Sequence, residues 1–462
     1  MRRLACAVLA GVLTLGASAT DGFYHVERTN GRWMVMTPAG RPFRWFGINH
    51  FSPHNGHGGT DSYGRFLGLT NAPVKSEIAW RNSSVRRLRD FGFTLVSLAR
   101  WEVKLMPSLV DLCGATTICL DIGQNAATEK DERRFITPFR RRACSAMPNV
   151  WHSEFERTVD ELVKPICTRF RDNKALVGYY LDNELAWWGY TEKETGLFDN
   201  IRKKPFGHTA RQAQAAFLKK HAKGNIAAFN ALWGTHYDSW DAFYADDRTY
   251  LPSAKPEQLA AKRGFLKELA RRYFSVCTAA IRKYDRNHLI LGCRFAGFSG
   301  ADRVVWEAAG EYCDVISLNC YPTYDPASRQ LYNQHVRDQM KRTLENCEQL
   351  QPLLEAHASA AGKPVVVTEW SYPADDVPSL GNSRGAGCRL ATQQLRAEAA
   401  AETLRMFSSS PSVIGCDWFR WVDCPAAGVR ADCAEDCNYG LVNEHDEPYP
   451  LLVEAFRTSG GK

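Results

Sequence analysis

Two glutamates stand where an apolar run stops. Leu176-Val177-Gly178-Tyr179-Tyr180-Leu181 leads into Asp182-Asn183-Glu184, and Pro364-Val365-Val366-Val367-Thr368 leads into Glu369-Trp370. Runs of that kind read as buried strands, so the first polar residues after them lie at the carboxyl ends, on the rim of a sheet. Two carboxyl groups opening into one cleft suit cleavage of a glycosidic bond: one protonates the departing oxygen while the other attacks or stabilises the sugar cation. A lone strand-end glutamate is more often a solvated terminus or a helix cap, so the pair draws its weight from its neighbours.

Those neighbours suit the same chemistry. Arg100 ends a second β-rich run and Tyr321 follows a sixth, and each is expected to hydrogen-bond Glu369 and hold it ionised. Trp101, Trp187, Trp188, Tyr321, Tyr324, Trp370, Trp418 and Trp421 all fall just beyond predicted strand ends. A flat indole buries the C–H face of a sugar ring while polar neighbours take its hydroxyls. Core packing is the competing use of such rings; Trp101 and Trp187 divide evenly between the two, while Trp188, Trp418 and Trp421 are expected at the site. His50 or His54 is expected to meet a sugar hydroxyl. With His57 they form a histidine group that raises a metal-dependent hydrolase as an alternative, but the group lies in a Gly- and Pro-rich loop with no rigid face.

Elements must bring these residues together. The chain has 462 residues, 45% apolar and 24% charged, which excludes disorder and fibre. Its net charge of +7 is spread without a single-sign block, so nothing calls for a nucleic-acid partner. Gly22 to Gly40 predicts a hairpin turning at Asn30-Gly31. Strands are then predicted at Phe43 to Ile48, Thr94 to Leu98, Leu176 to Leu181, His288 to Cys293, Val315 to Asn319, Pro364 to Thr368 and Val413 to Asp417, with an eighth placed near Arg134 to Thr137. Trp80 to Phe91, Glu154 to Phe170, Pro256 to Tyr284 and Thr392 to Ser408 carry apolar residues at helical spacing. Alternating strands and helices predict an α/β fold, specifically a (β/α)8 TIM barrel, whose chemistry sits at the carboxyl ends of its strands. The expected organisation is a leader over 1–19, a hairpin over 20–42 and a catalytic barrel over 43–462, with a lobe inserted at about 187–255 after strand four.

The residues now carry a resemblance. Asn183-Glu184 ending strand four and Glu369 ending strand seven resemble the pattern of clan A glycoside hydrolases. Gly178 to Leu185, Phe229 to Trp240, Trp418 to Asp423 and Asn438 to Leu441 look like the agarase-like branch, glycoside hydrolase family 50, with similarity to the family 42 β-galactosidases. The resemblance implies that Glu184 is the acid/base, Glu369 the nucleophile and Asn183 the contact to the 2-hydroxyl of the sugar being cleaved. It further implies retention through a glycosyl-enzyme, with the carboxyl groups about 5 to 5.5 Å apart. No metal or organic cofactor is implied. The expected substrate is a β-linked, galactose-containing polysaccharide or oligosaccharide of agarose type, attacked from its end. An exo-β-galactosidase, a transglycosylase and a non-catalytic carbohydrate-binding barrel are the alternatives.

The start of the chain reads as an export signal. Arg2 and Arg3 precede an apolar stretch from Leu4 to Leu15 and the small residues Ala17-Ser18-Ala19, the order found in a secretory leader and too short to span a bilayer. A secreted or periplasmic protein with no membrane attachment after cleavage is expected. The chain holds 15 cysteines, with Cys6 in the leader, and in an exported protein the rest are expected in disulfides. Cys113 with Cys119, and the group Cys416, Cys424, Cys433 and Cys437, are the local candidates; a metal site at that group is disfavoured because no C-x-x-C pair is present.

Overall fold

The computed structural model describes residues 22–51, 83–105, 107–112, 114–127, 131–137, 146–187, 196–298, 301–333, 347–377, 380–382, 385–424, 435–443 and 446–459. The leader, His54, His57, Trp188, Cys113 and Cys433 lie outside the described residues.

Eight staves follow in chain order: β1 (Trp45–Asn49), β2 (Leu95–Ala99), β3 (Thr116–Cys119), β4 (Leu176–Tyr180), β5 in two pieces (Leu289–Ile290 and Phe295–Ala296), β6 (Ile316–Asn319), β7 (Val365–Trp370) and β8 (Val413–Trp418). Each pairs in parallel with its successor, and β8 returns to β1 with Cys416 opposite Phe46. The first piece of β5 pairs with β4 and the second with β6, so the ring closes through the kink between them. This is the expected (β/α)8 barrel, in which side chains from the staves are buried on both faces.

The kink is a local backbone solution. Gly292 has φ 82° and Arg294 φ 40°, both in the left-handed region, where the arginine is the strained one. The irregular stretch still satisfies its backbone. The Leu291 N–H donates to the Tyr179 carbonyl at 2.8 Å, and the Gly292 carbonyl accepts from the Leu181 N–H at 2.8 Å. The Arg294 N–H donates to Ser317 Oγ at 2.7 Å.

Helices α1 (Phe155–Phe170), α2 (Pro256–Tyr284), α3 (Arg303–Tyr312), α4 (Leu350–Ala361), α5 (Gln393–Ser409) and α6 (Pro450–Ser459) pack outside the staves. The longest, α2, opens with Pro256 at its first turn, where a missing N–H costs nothing, and Gln258 accepts from the Lys255 N–H at 3.1 Å. Its apolar stripe of Phe265, Leu269, Tyr273, Phe274, Cys277 and Ile281 is buried.

The hairpin forms at His25–Thr29 and Arg32–Met36, with Asn30 and Gly31 both at positive φ as a tight hairpin turn requires. Pro42–Phe43 adds a third strand to it. Tyr24, Val26 and Val35 pack with Trp45, Leu95, Val177, Leu289, Val315 and Ile414, so this small sheet plugs the amino-terminal mouth of the barrel. Between β4 and α2 lies the inserted lobe, with helices at Gly196–Arg202, Thr209–His221, Ile226–Trp233 and Trp240–Ala245. Asn225 caps the third of these through its side chain and Gly234 ends it at φ 67°.

Two expectations are corrected here. The third stave is Thr116–Cys119; Arg134 to Thr137 instead ends in a short strand, Phe135–Thr137, antiparallel to Met147–Pro148 and outside the barrel. Two of the four residues of β3 are threonines, and Thr117 turns its hydroxyl inward to Ser97 Oγ at 3.0 Å, so the stave lacks the apolar signature of a buried strand. The disulfide expectation also fails, because no disulfide joins two described cysteines. Cys119 instead donates to Asp121 Oδ1 at 3.2 Å, and Cys416 is a buried thiol whose pKa burial pushes well up. Among the described residues no helix is long and apolar enough to cross a membrane.

Candidate active site

The carboxyl ends of the staves converge on Glu369. It is the fifth residue of β7 and is buried, only 7% exposed. Arg294 Nη2 donates to its Oε1 at 2.6 Å and the Tyr321 hydroxyl to its Oε2 at 2.8 Å, so each oxygen holds one strong donor. Arg294 is itself oriented by Asn49 Oδ1 at 3.2 Å and the Thr368 carbonyl at 3.4 Å. Its guanidinium lies 5.5 Å from the centre of the Tyr180 ring.

Burial pushes the Glu369 carboxyl up to about 7; Arg294 and the Tyr321 hydroxyl oppose that push, and the nearby charge of Glu184 adds to it. Desolvation is the largest influence on Arg294 and lowers its pKa, but the surrounding groups, Glu369 first and then Cys119, Tyr180 and Asp417, together outweigh it and raise the guanidinium, so the arginine is a fixed cation. The Arg294 guanidinium and the Tyr321 hydroxyl both point at Glu369 and stabilise negative charge there.

Glu184 leaves β4 through a turn. Its φ is 52°, a strained value for a residue with a side chain, and its N–H donates to the Arg294 carbonyl at 3.1 Å. Asn319, at the end of β6, donates from Nδ2 to both Asn183 Oδ1 and Glu184 Oε1 at 3.0 Å, while Thr368 Oγ1 fixes its own Oδ1 at 2.7 Å. Asn319 therefore links the Asn183-Glu184 pair to the stave that carries Glu369. His50, at the end of β1, also has positive φ, and its Nδ1 is 3.9 Å from the buried Glu102 carboxylate. Its ring lies near-parallel to Trp101 at 6.4 Å and edge-on to Phe419 at 5.5 Å.

A family profile described as beta-galactosidase, glycoside hydrolase family 42, matches residues 126–372, more than half the chain and a span that contains both glutamates. The chain belongs to that family. Beta-agarase A and beta-agarase B of Vibrio sp. strain JT0107 are each 26% identical to this family 42 member, over 83% and 82% of its length. It spans 36% of each agarase, little more than a third of those relatives. An exo-beta-agarase structure superposes with a TM-score of 0.76 at 21% identity, covering 96% of this chain and 65% of that one. A beta-galactosidase from the Antarctic haloarchaeon Halorubrum lacusprofundi gives 0.56 at 16% identity, over 90% and 58%. These superpositions establish the shared barrel fold.

Set against the sequence reading, this family 42 site brings Glu184, Asn183, Glu369 and Tyr321 together, with His50 on the same rim. Arg100 is elsewhere. Its Nη1 donates to the Leu120 carbonyl at 3.1 Å and its charge is felt by Asp121, so the arginine on Glu369 is Arg294. Trp418 and Trp421 do not present a face to a ligand. Trp418 is wholly buried, edge-on to Trp370 at 4.9 Å with Nε1 donating to the Tyr439 carbonyl; Trp421 is edge-on to Phe51 at 4.9 Å with Arg87 over its ring at 5.5 Å. Trp187 likewise stacks on Phe274 in the core. Arg294 and Asn319 were not among the expected residues. Arg294 directly follows the fifth predicted strand and Asn319 closes the sixth, the position that singled out the two glutamates.

Proposed function

We propose that the protein is a secreted retaining glycoside hydrolase that cleaves β-linked, galactose-containing polysaccharide or its oligosaccharides, agarose-type chains first among them, from the chain end. The observation that carries this reading is Glu369 clamped between Arg294 and Tyr321, with Glu184 tied to the neighbouring stave through Asn319. In the first step a Glu369 oxygen bonds to the anomeric carbon as the bond to the leaving oxygen breaks, and Glu184 gives that oxygen its proton. The covalent ester removes the negative charge of Glu369, and Glu184, having given up its proton, is left as the base. Glu184 then deprotonates the water that displaces Glu369, so the sugar is released with its original configuration. Asn183 contacts the 2-hydroxyl, an interaction that strengthens in the transition state. The agarases among the relatives support the substrate class.

A second reading, an exo-β-galactosidase, is favoured by the description of the family profile and uses the same residues. Product analysis on agarose, porphyran, carrageenan, β-galactan and β-glucan separates the two, with Glu184→Gln and Glu369→Gln proteins as controls. Neoagaro-type disaccharides support the first reading and free galactose the second. Near-normal turnover by both variants would refute the assignment of the pair.

A further inference from the structure

Asp182 immediately precedes the Asn183-Glu184 pair, yet it faces the other way. Its side chain is wholly buried and takes three donors: the Gly123 N–H at 2.6 Å, the Gln124 N–H at 3.0 Å and the Tyr273 hydroxyl. The two amides belong to the short helix Ile122–Ala126 that follows β3, and Tyr273 belongs to α2. One carboxyl group thus ties the end of β4 to the stave before it and to the longest helix of the molecule.

Room for this tie was made in the sequence. A Cβ on Gly123 would stand 2.9 Å from Asp182 Oδ2, closer than real side chains allow, so glycine at 123 lets the two chains approach. On the other side of the turn the Glu184 N–H is held by the Arg294 carbonyl at 3.1 Å. Between these anchors Glu184 adopts its φ of 52°, a strained conformation that persists only where the surroundings impose it.

We infer that Asp182 is the positioning residue of the acid/base, holding the strained turn that aims the Glu184 carboxyl at the leaving oxygen; this rests on the retaining-hydrolase reading above. Asp182 touches neither substrate nor reacting atoms. Burial pushes its carboxyl up to about 7 while Tyr273 and the two amides resist that push, as expected of a side chain kept for its acceptor oxygens.

The test separates proton donation from everything else the site does. A dinitrophenyl β-glycoside of the sugar unit that the enzyme releases needs no proton for its leaving group to depart, whereas an alkyl or sugar leaving group does. Wild-type turnover of both substrates, abolished by Glu369→Ala, is the reference; its absence would refute the function and this inference with it. A displacement of about 1 Å costs roughly a hundredfold in rate. Asp182→Asn and Tyr273→Phe are therefore expected to lower kcat/KM, which reports the first step alone, on the sugar leaving group by about ten- to hundredfold. The kcat/KM for dinitrophenolate release should fall no more than about threefold in the same proteins, since the water step that also uses Glu184 enters only kcat. Tyr273→Phe removes one donor and leaves the ring in place, so it reports even where Asp182→Asn fails to fold. Equal losses of kcat/KM on both substrates from folded protein, or unchanged kcat/KM on both in Tyr273→Phe, would overturn the inference and leave the glycosidase reading standing.

Discussion

Replacing Tyr321 by Phe tests the electrostatics at the centre of the site. The hydroxyl donates to Glu369 Oε2 at 2.8 Å and opposes the burial that pushes this carboxyl up to about 7. A hydrogen bond to a charged acceptor contributes about 1.5 to 3 kcal/mol, and one pKa unit corresponds to about 1.36 kcal/mol. Glu369 is buried, so solvent screening takes little from that figure. Removing the donor is expected to raise the carboxyl by about 1 to 2 units. The sign follows from the role of the group. In the proposed role of nucleophile Glu369 must be ionised, so kcat/KM rises with pH through its pKa and is lost as pH falls below it. The acidic limb is expected near 7 in the parent and at about 8 to 9 in Tyr321→Phe, with rates converging at still higher pH. Phe keeps the ring that packs edge-on to Phe419 at 6.2 Å, so the cleft wall is preserved. The assay is kcat/KM on an activated aryl glycoside from pH 5 to 10. An acidic limb that stays in place or moves downward in the variant would refute the reasoning.

Two further predictions concern stability. Burial raises Glu102, Asp182 and Asp417 to about 7, against about 4 in an unfolded chain, so the folded protein holds more protons between those values. Stability from these groups is full below about 4 and is lost as pH rises through about 7; His208 and His357, lowered by burial, act in the opposite sense over part of that window. With the carboxyls more numerous and more strongly shifted, Tm is expected to fall from pH 5 to pH 8 and the slope to flatten in Asp417→Asn; a Tm that rises over that range would refute it. Because Cys119 and Cys416 are unbridged thiols, alkylation of the unfolded, unreduced protein is expected to modify both, and mass spectrometry that finds either in a disulfide would refute this; a bridge there would contribute about 2 to 5 kcal/mol to stability.

What was legible in the sequence was set by contrast. Glu184 and Glu369 stand out because a carboxylate ends a run of residues buried on both faces, and the same contrast located seven of the eight staves. Thr116–Cys119 offers none, since its polar hydroxyls are matched inside the barrel. Arg294 was obscured by Gly292, whose positive φ bends the fifth stave so that its last inward residue comes after the apolar run has ended. The misplaced tryptophans have another cause. Sequence fixes how far along a stave a ring stands, not whether it turns into the cleft or sideways onto the helices, and Trp418 turns to Trp370 and Phe456. The Phe229 to Trp240 stretch that carried part of the resemblance packs the lobe, with Phe229 against Trp240 at 5.2 Å and Phe243 at 4.7 Å.

The split fifth stave has a bearing on how such an enzyme is altered. The two pairings that close the ring and the backbone turn that aims Arg294 at Glu369 are one feature, so the charge on Glu369 and the integrity of the cylinder are inherited together. Transplanting the arginine alone into a barrel with an unbroken fifth stave would leave its guanidinium on the wrong register. A donor fragment for such a graft has to run from Leu289 to Ala296, glycine included.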